Sequence, residues 1–144
     1  MDLAERTNAL KRMPLLADLP HGELEGLAKR LSVETYPEGA EIIKQGASGS
    51  TAYFVVSGKC EVRRSTKRGA NRRLAYLKAG DFFGELSIIA PGPRSASVTV
   101  FEAATVLVLT EGEFRAALRA NRSMSMHLVR ALAERLQRQE DEFI

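Results

Sequence analysis

Glu85 and Arg94 are the two residues whose chemistry is hardest to assign to folding alone. Between them runs Leu86-Ser87-Ile88-Ile89-Ala90-Pro91-Gly92-Pro93. Arg94 is a planar, five-donor cation suited to bidentate recognition of a phosphate, and Pro93 fixes its approach. Glu85 is an acceptor-only carboxylate, suited to take a hydrogen bond from a ribose hydroxyl. Gly84 and the run from Glu85 to Ala90 read as one tight helical turn between strands, with unpaired backbone N–H groups at its start. One carboxylate, one guanidinium and a rim of free amides suit a small sugar phosphate. A plain Glu85–Arg94 salt bridge is the competing reading, but it leaves the small residues around the pair unexplained.

Other chemistries find less support. Ser57, Ser95 and Ser97 have no histidine base at recognisable spacing, so an esterase-type triad is not expected. His21 and His127 stand without a carboxylate or thiol at metal-ligand spacing, and no metal is expected. The single cysteine, Cys60, alternates with Val62 and reads as a buried small residue. Walker and dinucleotide fingerprints are absent, and no general base or nucleophile is paired with an activator, so an enzyme is not expected.

The elements that must position Glu85 and Arg94 are legible around them. Residues 1–31 read as a helical cap: a short helix between Asp2 and Met13, an apolar knot between Pro14 and Pro20, and a second helix restarting at His21. Residues 32–110 change character. Val33–Tyr36, Glu41–Lys44, Ala52–Val56, Lys59–Arg64, Arg72–Leu77, Ser95–Phe101 and Val106–Leu109 are β-rich runs broken by glycine, proline and serine, as in an antiparallel sandwich or barrel. Residues 111–144 return to helical spacing, with Phe114, Ala117 and Leu118 in one helix and Ser123 or Ser125 as a cap for the next. There Leu128, Val129, Leu132, Ala133 and Leu136 read as one apolar stripe, opposite Arg130, Glu134, Arg138 and Asp141.

Composition sets the outer bounds. A chain of 144 residues, 44% hydrophobic and 27% charged, is the size and make-up of one soluble domain. The net charge of +3 is too small for a general nucleic-acid binder, although Arg63, Arg64, Lys67, Arg68, Arg72 and Arg73 crowd one segment with no acid between them. No apolar stretch is long enough to span a bilayer, so membrane insertion is not expected. The charged N-terminus and lone cysteine make the cytoplasm the expected compartment.

The stretch Phe83-Gly84-Glu85-Leu86, followed by Pro93-Arg94-Ser95-Ala96-Ser97-Val98, resembles the phosphate-binding cassette of cyclic nucleotide-binding domains. The likeness extends through Tyr53-Phe54-Val55-Val56-Ser57-Gly58-Lys59-Cys60-Glu61-Val62, Leu77-Lys78-Ala79-Gly80-Asp81, Tyr36-Pro37-Glu38-Gly39 and Gln45-Gly46, so it covers almost the whole chain. Ser87 departs from the alanine of many members, and Ala90-Pro91-Gly92 from a more polar linker, but neither removes a contact group.

The resemblance implies an α+β fold: an antiparallel, jelly-roll-like β-roll with N-terminal helices, a short cassette helix and two C-terminal helices, all within a single domain of residues 1–144. It implies that the ligand is cAMP, less readily cGMP, and that no cofactor is needed. Glu85 would take the ribose hydroxyl and Arg94 the cyclic phosphate, with Phe83, Gly84, Leu86, Ser87, Ser95 and Ala96 around them. Val55, Val62, Leu74 and Phe83 would wall the base, and Arg135, Leu132, Leu136 or Gln139 of the terminal helix would cap it. The function implied is a sensor that relays binding through its C-terminal helix to a protein partner or effector domain, with a homodimer through that helix possible. The alternatives are a degenerate roll kept for protein contacts, or the sensor piece of a larger transcription regulator or channel. With Ile144 following the long helix directly, DNA binding by this chain alone is not expected.

Overall fold

Asp2 accepts a hydrogen bond from the Glu5 backbone N–H at 2.8 Å and so caps α1, Leu3–Lys11. Pro14 opens a single 3-10 turn, Pro14–Leu16, and Pro20 precedes α2, His21–Arg30. The computed structural model describes residues 1–143, with side chains through residue 138. Leu10, Leu16, Leu24, Leu27 and Ala28 of this N-terminal cap are buried in one cluster.

Six antiparallel strands follow: β1 Ser32–Tyr36, β2 Glu41–Ile43, β3 Ala52–Ser65, β4 Asn71–Lys78, β5 Phe82–Phe83 and β6 Ser97–Leu109. They form one sheet in the order β1-β6-β3-β4, with β2 also on β6 and β5 also on β3; the roll does not close. Two pairs of expected short strands turn out to be continuous. Ser57 and Gly58 do not end β3, because register shifts beside Ser57 and Lys59 absorb the irregularity against β6. Likewise Glu102-Ala103-Ala104-Thr105, the expected break, stays within β6. The two-residue β5 was not anticipated, since Phe82-Phe83 is too short to show any alternation.

Sheet residues are buried on both faces. Ala52 and Phe54 of β3, with Leu107 and Leu109 of β6, pack against the helices. Val55, Cys60, Val98, Val100, Ala104 and Val106 form a second cluster inside the roll. That double burial explains why β3 begins as an unbroken apolar run rather than a clean alternation. Each fully buried Val, Leu or Phe side chain among these contributes about 1.5–3 kcal/mol by leaving water.

α3, Leu86–Ile89, is the short turn between β5 and β6. α4, Glu111–Ala120, starts where the Thr110 hydroxyl accepts from Glu113 N, and α5 runs from Arg122 to Phe143. Ser123 and Ser125 lie inside the first turns of α5 instead of capping it; Ser125 Oγ donates to Leu118 O at 3.0 Å. The apolar stripe expected on this helix divides in two. Met124 and Leu128 are buried and Leu132 half-buried against the helical cluster, whereas Met126, Val129 and Leu136 are exposed. His127 Nε2 meets Asp18 Oδ2 at 2.7 Å, tying α5 to the N-terminal cap, and His21 meets Glu25 at 3.3 Å. Both histidines thus have carboxylate partners that the sequence reading did not find. His21 and Glu25 are one helical turn apart, whereas His127 and Asp18 meet only through the tertiary fold.

Candidate nucleotide site

The site begins where β5 pairs with β3, Phe83 opposite Tyr53, their rings stacked with centroids 4.8 Å apart. Immediately afterwards Gly84 turns the chain with φ +85°, a region L side chains rarely adopt. A Cβ there would lie 2.5 Å from Thr51 O and 3.2 Å from Arg94 Nη1, so the position needs glycine for both conformation and space. The turn delivers Glu85 to the start of α3, where it makes no capping bond and is 1% exposed. Its Oε1 instead accepts from Arg135 Nη1 at 2.7 Å, and Arg135 Nη2 donates to Phe82 O at 2.8 Å. The far end of α3 is held too, since Arg115 Nη2 donates to Ile88 O at 2.6 Å.

Arg94 is seated by main-chain bonds before its side chain acts. Gly46 N donates to Arg94 O at 2.8 Å, and Arg94 N donates to Ala47 O at 2.9 Å. The guanidinium, 7% exposed residue and all, donates from Nη1 to Gly84 O at 2.8 Å and from Nη2 to Thr51 O at 3.1 Å. Gly49 gives it room, because a Cβ there would stand 2.8 Å from Arg94 Nε. The simple alternative considered from sequence takes a different form in space: the ion pair of Glu85 is with Arg135, and Arg94 holds carbonyls.

Burial pushes the Glu85 carboxyl above its ordinary pKa; the Arg135 charge is the largest opposing influence, with its hydrogen bond and Arg94 acting the same way. Burial also lowers the pKa of Arg94, opposed by Tyr53 and Glu85. Buried charges of this kind are costly unless they are partnered, and these two stand at the wall of one cavity of about 300 Å³.

Eleven of the fifteen residues nominated from sequence line that cavity: Phe83, Gly84, Glu85, Leu86, Ser87, Arg94, Ser95, Ala96, Val62, Leu74 and Arg135. Val55 does not. It is fully buried in the cluster inside the roll and contributes no lining surface, because the neighbouring strand residues shield it. Leu132 packs on the helical cluster and Leu136 is 57% exposed, so neither lines the cavity. The Gln139 side chain lies outside the described residues.

Sequence reasoning missed Arg64 and Arg138, which also line the cavity. Each was within reach: Arg64 follows Val62 by two positions in a strand, and Arg138 follows Arg135 by three in a helix. Arg64 Nε donates to Ser95 O at 3.0 Å and so braces the segment after Arg94. Among the described residues no group of three or more His, Cys, Asp or Glu is placed to hold a metal ion.

Comparison with known proteins places this geometry. The family described as "Cyclic nucleotide-binding domain" matches residues 33–121, from β1 through α4. The chain belongs to the cyclic nucleotide-binding domain family. It is 30% identical over 129 residues to the CRP-like cAMP-activated global transcriptional regulator of Mycobacterium tuberculosis, covering 90% of this chain and 58% of that protein. It is 37% identical over 106 residues to the cAMP-dependent protein kinase regulatory subunit of Yarrowia lipolytica, covering 74% of this chain and 28% of that protein. Among solved structures, the regulatory domain of Toxoplasma gondii PKA with cAMP superposes with a TM-score of 0.83 at 26% identity, covering 92% of this chain and 50% of that one. This cyclic nucleotide-binding domain therefore spans about three-fifths or less of the curated relatives named here, which are regulatory proteins. No helix among its described residues is long and apolar enough to cross a membrane.

Proposed function

We propose that this domain is a cAMP sensor, with cGMP as the weaker ligand, and that it relays occupancy through α5. The observation that carries the reading is the burial of Glu85 and Arg94, 1% and 7% exposed, against one cavity of about 300 Å³. That volume is at the small end of ligand sites, which suits a mononucleotide. In this reading Arg94 exchanges a carbonyl for the cyclic phosphate, a stronger, charge-assisted acceptor for the same donors. Glu85 receives the ribose hydroxyl, with Gly84, Leu86, Ser87, Ser95 and Ala96 closing around sugar and phosphate, and Phe83, Val62 and Leu74 offering apolar wall to the base.

The relay follows from the Arg135 contacts. Arg135 belongs to α5 and reaches into the site to hold Glu85 and Phe82 O, so a ligand that engages Glu85 changes what α5 gains by lying there. A ligand shifts such an equilibrium only by its differential affinity for the two positions. The output belongs to a protein partner or to a further domain, as the regulatory relatives suggest. In this reading the exposed Met126, Val129 and Leu136 are the apolar surface that a homodimer through α5 would use.

Calorimetric titration of the purified chain with cAMP and cGMP tests the reading. Saturable cAMP binding that exceeds cGMP binding is expected. Absence of binding to either would leave the domain as a roll kept for protein contacts. A preference for cGMP of tenfold or more would reverse the ligand assignment.

A further inference from the structure

The outward face of β3 and β4 carries a second cluster, of which only Tyr76 also borders the cavity. Between Lys59 and Lys78 the sequence holds eight basic residues and one acid, Glu61. The strand register sets like charges opposite one another: Lys59 faces Lys78, Arg63 faces Arg73, and Arg64 faces Arg72. Directly opposed like charges destabilise a sheet, so the cross-strand pairing by itself does not account for the arrangement. Val62 and Arg64 line the cavity, which leaves Lys59, Glu61 and Arg63 on the other side of β3.

Two aromatic rings lie exposed among these cations. Tyr76 is 36% exposed and Phe101, on the neighbouring part of β6, is 44% exposed. Their centroids are 5.4 Å apart. Lys59 Nζ sits 4.1 Å from the centre of the Tyr76 ring and 5.3 Å from that of Phe101. Arg73 lies over Tyr76 at 4.5 Å and donates from Nη1 to its hydroxyl at 2.7 Å. The one acid of the hairpin is already engaged, since Glu61 pairs with Arg63.

We propose that this outer face of the β3–β4 hairpin is a docking surface for an acidic protein segment carrying an aromatic or apolar anchor. The cation excess selects carboxylates, and the rings hold Lys59 and Arg73 in fixed places where a carboxylate can meet them. Exposed aromatics beside arginine are the residue types that carry binding energy at protein interfaces. Single-stranded nucleic acid fits less well. Its bases stack on open ring faces, whereas here Tyr76 has Lys59 and Arg73 over it and the two rings are inclined at 57°.

The test is fluorescence anisotropy with a fluorescein-labelled peptide rich in Glu and Asp around a central Phe. Three competitors accompany it: the same peptide with Gln and Asn for the acids, the same peptide with Ser for Phe, and oligothymidine. The expected result is saturable binding of the acidic peptide that weakens with salt. Binding should fall by about tenfold or more in Lys59→Ala/Arg73→Ala and in Phe101→Ser, the scale of losing one well-packed contact. Circular dichroism and cAMP calorimetry should be the same for these variants as for the unaltered chain, because none of the three residues lines the cavity. The proposal is overturned if the acidic peptide does not bind, if the Ser-for-Phe peptide binds equally well, if oligothymidine binds more tightly, or if the variants retain full affinity.

Discussion

Arg135 of the terminal helix reaches Glu85, fifty residues earlier in the chain, and holds its Oε1 at 2.7 Å. Arg135 is 31% exposed and Glu85 is 1% exposed, so removing either leaves the other unevenly matched with its surroundings. In a double-mutant cycle, Arg135→Ala and Glu85→Gln should each loosen α5 and should not add. The expected coupling is about 0.5–3 kcal/mol, read from chemical denaturation. Hydrogen exchange across 128–138 should rise in both single variants and rise no further in the double variant. Independent, additive effects would sever the helix from the site.

Arg94→Ala should leave a folded domain with cAMP affinity reduced by about 2–5 kcal/mol, the scale of losing the partner of a desolvated phosphate. Arg94→Lys should not restore it, because an ammonium cannot span Gly84 O and Thr51 O as the guanidinium does. Calorimetry on both variants, with folding checked by circular dichroism, provides the measurement.

Gly84→Ala should cost stability as well as binding. The positive φ and the approach to Thr51 O set a penalty of about 1–3 kcal/mol, and the added methyl crowds Arg94 Nη1. Gly112→Ala is the matched control, since a Cβ there meets nothing within 4 Å and the residue lies within α4. It should be neutral or stabilising by up to about 1 kcal/mol. Thermal melts of the two variants should therefore move in opposite directions from the unaltered protein, or Gly112→Ala should stay level with it.

Acidity should set the stability of the empty domain through Glu85. Burial raises its pKa above the ordinary 4.5, with Arg135 pulling in the opposite direction. A carboxyl whose pKa is raised in the folded state binds a proton more tightly there than in the unfolded chain. Its contribution is therefore full below about 4.5 and is lost as pH climbs through the raised value. Melting temperature followed over that interval should fall in the unaltered protein and flatten in Glu85→Gln. Arg135→Ala should shift the fall to higher pH. Affinity for cAMP should run the other way, rising with pH as the carboxylate becomes available to the ribose hydroxyl. A melting profile that is identical in Glu85→Gln would remove Glu85 as its source.

Much of this arrangement was legible because it is local in sequence. Gly84, Glu85 and Arg94 lie within one short segment, and each residue type narrows the chemistry by itself. The helical cap was legible from Pro14, Pro20 and the spacing of Leu24, Leu27 and Leu31. Harder to read was anything that depends on which face a residue takes. Val55 stands among apolar neighbours on a strand buried from both sides, so composition could not tell cavity wall from core. Val129 and Leu136 are as apolar as Leu128, yet only Leu128 meets the helical cluster, a difference set by the docking angle of α5. The bonds from Arg94 to Thr51 O and from Arg115 to Ile88 O join distant segments through backbone carbonyls, which no side-chain pattern announces.

Phe82 and Phe83 are consecutive, yet Phe82 is packed with the helices and Phe83 with the interior of the roll. Phe82 also offers its carbonyl and, at 4.6 Å, its ring to Arg135, while Phe83 lines the cavity against Tyr53. The partition between the cavity and the helical cluster is thus a single peptide unit thick. A rotation of that unit cannot be confined to one side, because turning the Phe83 ring at the cavity wall also turns Phe82 within the helical packing.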